Sequence, residues 1–310
     1  MTERSALPER ALARLQTACE QPEFTGRRYL LGPELGRGGM GVVYEVHDTE
    51  LNRHVALKVV PAWEAADAAS LERVRQEART LAALEHPGIV PVHDIGTLAD
   101  GRVFYTMKLV RGNRLSARRP DGAARSVPEI LRLVARICET VEFAHAQGVI
   151  HRDLKPENVM LGPFGEVIVL DWGVARVASA QSADGERVGT RDYMAPEQRS
   201  GDASAIDARS DVYSLGCLLR NLLASTSQPL PRPLQSIIIR ATATEAAGRY
   251  SSAGGLGDDL LCFVDGEPVA AHRESWQERA SRLFRRHQLL ITLVLTYLVM
   301  RAIVFFTLSR

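Results

Sequence analysis

Two short polar segments constrain the fold of this 310-residue sequence more than any other feature. Residues 151–158 read HRDLKPEN and residues 171–173 read DWG, with a short hairpin-like stretch between them. The two segments in this order are not expected by chance.

Hydrophobic periodicity divides the chain into a sheet-rich part and a helical part. Alternating, β-branched segments predict strands at residues 29–35, 41–48, 54–60, 89–98 and 102–110. Apolar residues at helical spacing predict an amphipathic helix over 70–84, and beyond residue 127 the helical period dominates, with Gly148 placed as a C-cap. The predicted fold class is α+β, with a small antiparallel β lobe and one helix over about 28–110 and a larger, mostly helical lobe over about 111–265.

Composition excludes several classes of protein. Lys and Arg total 38 against 37 Asp and Glu, a net charge of +1, so we expect no nucleic-acid partner. The four cysteines lie far apart without metal-type or redox-type spacing, which is typical of reduced thiols in the cytosol. Residues 1–27 lack the apolar stretch of a secretory signal and are predicted to be a tail with at most one short helix.

A glycine-rich segment lies between the first two predicted strands. Gly36, Gly38 and Gly41, followed by Val43, form a G-x-G-x-x-G-x-V pattern. A dinucleotide-binding fold needs a helix after the glycines, whereas here an alternating strand follows, which argues against that fold. The glycines would let backbone amides approach phosphate oxygens without interference from a Cβ atom. Taken alone, the pattern also fits a plain glycine-rich hairpin.

Lys58 lies in the apolar strand VALK, where an ammonium group needs an anionic partner. Glu77, on the predicted helix that follows, could be that partner. A lysine held by a glutamate can reach the α and β phosphates of a nucleotide as a fixed cation. The alternative is an amphipathic strand whose lysine points to solvent.

Taken together, these motifs resemble the eukaryotic-type protein kinase family, and specifically its bacterial serine/threonine branch, over about residues 28–265. The residues that carry the resemblance are Gly36, Gly38, Gly41, Lys58, Glu77, the HRDLKPEN run, Asp171, Gly189-Thr190, Ala195-Pro196-Glu197, Asp211 and Arg249. The resemblance implies a bilobed fold, ATP and Mg²⁺ as cofactors with Mn²⁺ as a possible substitute, and protein substrates with Ser or Thr acceptors.

The resemblance also implies roles for individual residues in phosphoryl transfer. Asp153 would orient the acceptor hydroxyl and take its proton, and Lys155 would neutralise the transferred phosphoryl group. Asn158 and Asp171 would hold the metal ions. Lys155 marks Ser/Thr rather than Tyr kinases in this family, and Thr190 is expected to contact Asp153 and Lys155.

A nucleotide pocket follows from the same resemblance. Val43 and Ala56 would sandwich the adenine, and the backbone of Lys108 to Val110 would bond its edge, with Met107 behind it. Two further groups are expected to be structural: an ion pair between Glu197 and Arg249, and Asp211 as a brace for the catalytic loop.

The sequence departs from the family pattern at two places. Trp172 replaces the usual Phe of the Asp-Phe-Gly triplet. Residues 224–233 connect two predicted helices almost directly, so the helix that often docks protein substrates is expected to be missing. Within the activation segment, Ser179 or Ser182 is a predicted autophosphorylation site, with Arg152 as a receptor for a phosphate on that loop.

The C-terminal region contains a 20-residue apolar run, residues 289–308, long enough to cross a bilayer as a helix. Residues 266–288 form a basic linker before it, which places the N-terminal domain in the cytoplasm by the positive-inside rule. Arg301 is costly in mid-membrane but could snorkel outward. We therefore expect a single transmembrane helix in the cytoplasmic membrane, with an interfacial or partner-bound helix as the alternative.

Three functions remain open from the sequence. The first is a membrane-tethered serine/threonine protein kinase that autophosphorylates and signals, with a homodimer as one possible state. The second is a nucleotide-binding pseudokinase or scaffold, suggested by Trp172, by Lys108 in the hinge and by the shortened helical lobe. The third is phosphorylation of a small molecule, which the peptide-binding type of activation segment opposes.

Overall fold

The computed structural model describes most of the chain. It covers Pro22 and residues 28–38, 41–60, 72, 75, 78–116, 122–172, 190–200, 203–226, 229–280, 292–294, 296–301 and 304. Glu77, Ser179, Ser182, Gly189 and almost all of the predicted tail 1–27 lie outside the described residues, as does the side chain of Thr190.

The first part of the chain forms a five-stranded antiparallel sheet, as the alternating segments predict. Its strands are β1 (Tyr29–Gly38), β2 (Gly41–Asp48), β3 (Arg53–Val59), β4 (Val92–Thr97) and β5 (Val103–Lys108). They lie in the order β1-β2-β3-β5-β4. In the predicted helix over 70–84, the described residues up to Ala82 are helical.

The two faces of this sheet differ. Tyr44, Val46, Val55, Leu57 and Val59 point to one face and form a buried apolar cluster. Successive side chains of a strand point to opposite faces, so the residues between them point to the other face, where the predicted nucleotide-site residues lie.

The second part of the chain is mostly helical. Its helices are α1 (Val127–Ala146), α2 (Pro196–Arg199), α3 (Ala208–Ala224), α4 (Arg232–Ala241) and α5 (Ala253–Val264). Ser126 caps α1 by accepting a hydrogen bond from the Glu129 amide. Just past its end, Gly148 has a φ of +75°, the left-handed conformation expected for a C-terminal glycine. The apolar faces of α1, α3, α4 and α5 pack into one core.

A small three-stranded sheet brings the two polar segments together. It consists of β6 (Asn113–Arg114), β7 (Val159–Leu161) and β8 (Val167–Val169), in that order. Strand β7 begins immediately after the HRDLKPEN segment, and β8 ends just before the DWG segment. Because these two strands pair as an antiparallel hairpin, the two segments lie at the same end of it. The HRDLKPEN and DWG segments are therefore neighbours in the fold.

The connection from α3 to α4 is short. Helix α3 ends at Ala224 and α4 begins at Arg232, and the described residues between them contain no helix. This agrees with the expected loss of a substrate-docking helix.

The C-terminal region shows a docked segment and an exposed one. Asp259 accepts hydrogen bonds from the Ala270 and Ala271 amides at 2.6 and 2.9 Å, so the beginning of the predicted linker packs on the helical lobe. Within the described residues, no helix is long and apolar enough to cross a membrane. The described residues of the 289–308 segment are helical, and their large apolar side chains are exposed.

Candidate active site

One face of the five-stranded sheet holds the predicted nucleotide pocket. The strand register pairs Val43 with Lys58 and Lys58 with Tyr105, so these three side chains form one row across the sheet. In the next row, Ala56 pairs with Met107. The predicted adenine-contacting side chains and Lys58 therefore share a single surface, and the sequence missed Tyr105 as a member of it.

The glycine-rich segment forms the hairpin between β1 and β2. Gly36 pairs with Val43, and Gly38 pairs with Gly41 across the turn. Gly41 has a φ of +114°, a region that side chains strongly disfavour. Because a strand follows the glycines, the dinucleotide-binding alternative is excluded for this segment.

Lys58 is buried and pairs with Asp171 of the DWG segment. The Lys58 Nζ atom lies 3.2 Å from Asp171 Oδ1, and Lys58 is 7% exposed. Burial works to lower the pKa of Lys58, but Tyr105 and Asp171 outweigh burial, and the pKa lies above its ordinary value. Burial likewise works to raise the pKa of Asp171, and Lys58 reverses that effect, so this carboxylate is ionised at neutral pH. Glu77, the partner predicted from the sequence, lies outside the described residues.

The HRDLKPEN segment folds into a loop in which two polar side chains contact the Asp153 carboxylate. Lys155 Nζ lies 2.8 Å from Asp153 Oδ2, and Asn158 Nδ2 donates to the same oxygen at 3.2 Å. Asn158 also donates to the Asp153 main-chain carbonyl at 2.8 Å, and it is buried. The Asp153 carboxylate is therefore fixed in position and neutralised in part by Lys155.

Asp211 of α3 fixes the backbone of this loop by hydrogen bonds. Its carboxylate accepts the backbone amides of His151 and Arg152, each at 2.8 Å, and it is completely buried. Arg152 has a φ of +66° and Asp171 a φ of +53°, and such conformations cost roughly 1–3 kcal/mol each unless the surroundings impose them. The expected bracing role of Asp211 agrees with these contacts.

His145 is a third partner of Asp211 that the sequence analysis missed. Its Nε2 atom lies 2.7 Å from Asp211 Oδ2, and both side chains are buried. In the sequence, His145 is only a histidine near the end of an amphipathic helix. That pattern does not distinguish a histidine that binds a carboxylate from one that simply packs in the core.

The end of the activation segment is attached to the helical lobe by an ion pair. Arg249 donates to both oxygens of Glu197, at 2.7 and 2.8 Å, and Ser210 donates to Glu197 at 2.7 Å. Burial works to raise the pKa of Glu197, but the hydrogen bonds from Arg249 and Ser210 outweigh it and lower the pKa to about 2. The expected Glu197–Arg249 pair is present, whereas Ser210 was not anticipated.

Trp172 packs into the core beneath the catalytic loop. Its indole N–H donates to the Val169 carbonyl at 3.2 Å, and its ring lies 4.9 Å from the ring of His151. His151 in turn contacts the Leu170 carbonyl through Nε2, at 2.9 Å. The core therefore accommodates the larger ring of Trp172, and its buried indole N–H has a hydrogen-bond acceptor. A phenylalanine at this position would need no such acceptor.

The backbone amides of the predicted hinge, Lys108 to Val110, are not all available to a nucleotide. The Lys108 amide donates to the Pro91 carbonyl at 3.2 Å, so that donor is already used within the protein. Within the described part of the chain, the Val110 amide has no such partner. An adenine edge would therefore find its backbone donor at Val110 rather than at Lys108.

Asn158 and Asp171 are the candidate metal ligands. The Leu170 amide donates to the Asn158 carbonyl at 2.8 Å, which keeps the two residues adjacent. No group of three or more His, Cys, Asp or Glu side chains that could hold a metal ion occurs among the described residues. Magnesium typically uses one or two protein oxygens and completes its shell with water and nucleotide phosphates, so this small ligand set fits it.

Comparison with known proteins decides the family. Residues 29–247 match the model of the protein kinase domain. The chain belongs to the protein kinase family. A probable serine/threonine-protein kinase of Streptomyces coelicolor is 36% identical over 285 residues, which is 81% of this chain and 42% of that protein. Serine/threonine-protein kinase PknB of Mycobacterium tuberculosis is 34% identical over 284 residues, 81% of this chain and 45% of that protein.

The solved structures agree with this kinase fold. The PknI kinase domain of Mycobacterium tuberculosis matches with a TM-score of 0.60 and 30% identity, over 78% of this chain and 98% of that domain. The expected kinase family and bilobed kinase fold are thereby confirmed. The chain spans less than half the length of the curated relatives named above.

Proposed function

We propose that this protein is a serine/threonine protein kinase that transfers the γ-phosphoryl group of ATP to protein hydroxyl groups. One observation carries the proposal: the Asp153 carboxylate, contacted by Lys155 and Asn158, lies in a loop joined through β7 and β8 to the Lys58–Asp171 pair. A base for the acceptor hydroxyl and a cation for the nucleotide phosphates therefore lie at the same end of the β7–β8 hairpin.

The residues would share the chemistry as follows. Asp153 accepts the proton of the substrate hydroxyl, and Lys155 stabilises the negative charge of the phosphoryl group during transfer. Lys58 binds the α and β phosphates when nucleotide is present. Asn158 and Asp171 would hold Mg²⁺, or Mn²⁺, which offsets charge that develops on the phosphates. Transfer mostly needs positioning and electrostatics, which explains why so many contacts hold this loop.

A matched pair of variants tests the proposal. The 310-residue chain and its Asp153→Asn variant are incubated with labelled ATP, Mg²⁺ and a generic protein substrate. Glu139→Gln, at an exposed position on α1, serves as the control. Loss of the base should reduce transfer by about 10²- to 10⁴-fold and leave nucleotide binding intact. Undiminished label in Asp153→Asn would refute the assigned role, and nucleotide binding without transfer in the parent protein would favour the pseudokinase alternative.

We also propose that residues 289–308 tether the kinase to the inner face of the cytoplasmic membrane. Leu293, Val294, Tyr297, Leu298 and Met300 are all between 49% and 70% exposed, although their helix is strongly apolar. Such a helix gains free energy by leaving water for lipid. Co-sedimentation with lipid vesicles should be lost when residues 289–310 are deleted. Equal sedimentation of both proteins would refute the tether.

Autophosphorylation at Ser179 or Ser182 is part of the same proposal. It is supported by Arg152, which lies beside Asp153 and could receive a phosphate on the activation segment. Mass spectrometry after incubation with ATP and Mg²⁺ should find phosphate on one of these serines. Phosphate located only outside residues 171–197 would contradict this.

A further inference from the structure

One face of α3 lies beside the end of the activation segment, where Ser214 contacts Tyr193. Tyr213, Cys217 and Arg220 are spaced by four and three residues and share this face of the helix. Arg220 is exposed, and its Nη2 atom lies 3.6 Å from Cys217 Sγ. The guanidinium of Arg220 is therefore exposed at the C-terminal end of this face.

A second exposed arginine, Arg199 of α2, lies over the same face. Arg249 joins α2 to this face. It binds Glu197 of α2, and its guanidinium carbon lies 5.0 Å from the centre of the Tyr213 ring of α3. Burial raises the pKa of Cys217, and both Arg220 and Arg199 oppose that shift because a nearby positive charge favours the thiolate. Direct contacts also place α2 on this side of α3: Ser210 donates to Glu197, two residues before Arg199, and Ser214 donates to the Tyr193 carbonyl, each at 2.7 Å.

Arg199 lies close to the acceptor site, whereas Arg220 lies on α3 about 14 Å along the helix from Asp211. Gln198, the residue before Arg199, donates to the Arg152 carbonyl at 2.8 Å, one residue from Asp153. Arg199 itself donates to the Arg191 carbonyl at 2.7 Å, and Ser214 of α3 donates to the Tyr193 carbonyl at the same distance. A polypeptide bound at Asp153 would therefore pass within reach of this surface.

The nearby acidic side chains do not neutralise these arginines. Glu197 binds Arg249, Asp207 binds Arg209, and Asp211 accepts the catalytic-loop amides. Among the residues the structure describes, neither Arg199 nor Arg220 forms an ion pair with a carboxylate. Among the described residues 190–200, Asp192 is the remaining exposed acid. The described residues of this surface thus carry more positive than negative charge.

We propose that Arg199 and Arg220 form a docking surface for acidic segments of protein substrates. The proposal deepens the kinase function and rests on it, because it assigns the substrate class of the same active site. Charge complementarity would supply part of the substrate affinity that the absent docking helix would otherwise provide. Contacts away from the reacting atoms bind the substrate and the transition state equally, so loss of the two arginines should raise KM and leave kcat unchanged. The effect should be modest, because an exposed charge pair contributes little by itself.

The test compares two peptides with one Thr-containing core, flanked by Glu residues in one and by Lys residues in the other. The 310-residue chain should phosphorylate the acidic peptide with the lower KM. Arg199→Gln combined with Arg220→Gln should raise that KM by roughly three- to tenfold and leave kcat unchanged. Arg220→Glu should move the preference toward the basic peptide, whereas Arg132→Gln, at an exposed position on α1, should have no effect.

Fluorescence anisotropy of labelled peptides separates this proposal from the kinase proposal. If no peptide is phosphorylated but the acidic peptide still binds in an Arg220-dependent way, the kinase function fails and the docking surface stands. Equal affinity for both peptides would overturn the docking surface. An equal loss of kcat for both peptides in the Arg220→Gln variant would also overturn it, because it would indicate a structural role. Competition by anionic lipid vesicles without any peptide preference would assign the surface to a membrane instead.

Discussion

Replacing Glu197 with Gln is the most informative perturbation of the link between the activation segment and the helical lobe. Arg249 is 3% exposed and also donates to the carbonyls of Ala243, Arg209 and Thr244. These carbonyls hold the guanidinium in place when its partner carboxylate is removed. The variant would therefore retain a buried positive charge without its counter-ion, which is strongly destabilising.

The magnitude follows from the pKa of Glu197. The pKa is about 2 in the folded protein against 4.5 for an unperturbed glutamate. A difference of this size corresponds to about 3 kcal/mol of stability at neutral pH. Because the folded-state pKa is depressed, this stability is present above pH 4.5 and is lost as the pH falls toward 2. Linkage predicts a loss of about 2 kcal/mol from this group between pH 6 and pH 3.

Urea denaturation of the parent protein and Glu197→Gln at several pH values between 3 and 7 measures both effects. The variant should be less stable by about 3 kcal/mol at pH 7, and the difference between the two proteins should shrink as the pH falls. Taking the difference cancels the titration of other carboxylates. Glu139→Gln, which alters an exposed acid, should follow the parent throughout. A stability difference that stays constant from pH 7 to pH 3 would refute the reasoning.

Three further substitutions test other contacts. Asp211→Asn places an amide group against backbone donors and should cost about 2–4 kcal/mol and lower kcat; urea denaturation and steady-state kinetics measure this, and unchanged kcat would contradict it. Trp172→Phe removes the bond to the Val169 carbonyl and should cost about 1 kcal/mol in thermal unfolding while transfer continues. Lys58→Met leaves Asp171 without its cation and should weaken ATP binding at least tenfold in a nucleotide titration; unaltered affinity would contradict this.

The parts of the fold that could be predicted are those with a local signal. Strands β1 to β5 follow from alternation over a few residues, and α1 follows from its apolar period, its Ser126 cap and Gly148. The HRDLKPEN segment indicated a catalytic loop because its polar residues occur together in the sequence. In each case the residues that determine the structure are neighbours along the chain.

The contacts that could not be predicted join distant residues. Lys58 meets Asp171 across 113 positions, and His145 meets Asp211 across 66. A pattern within one strand or helix shows that a side chain is buried but does not name its partner. The sequence accordingly suggested Glu77 alone for Lys58, and it gave no reason to connect His145 with the catalytic loop. Such pairings depend on how elements distant in the sequence pack together, which no short segment encodes.

The C-terminal part of the helical lobe shows the same principle where the family match has already ended. The matched domain stops at residue 247, yet Asp259, which is buried, binds the Tyr250 hydroxyl and the amides of Ala270 and Ala271. A buried carboxylate with three donors is costly to expose, so these contacts hold residues 269–271 against α5. The linker to the proposed membrane segment therefore begins at a fixed point on the helical lobe. The length of the linker after residue 271 would then limit how far the active site can lie from a membrane.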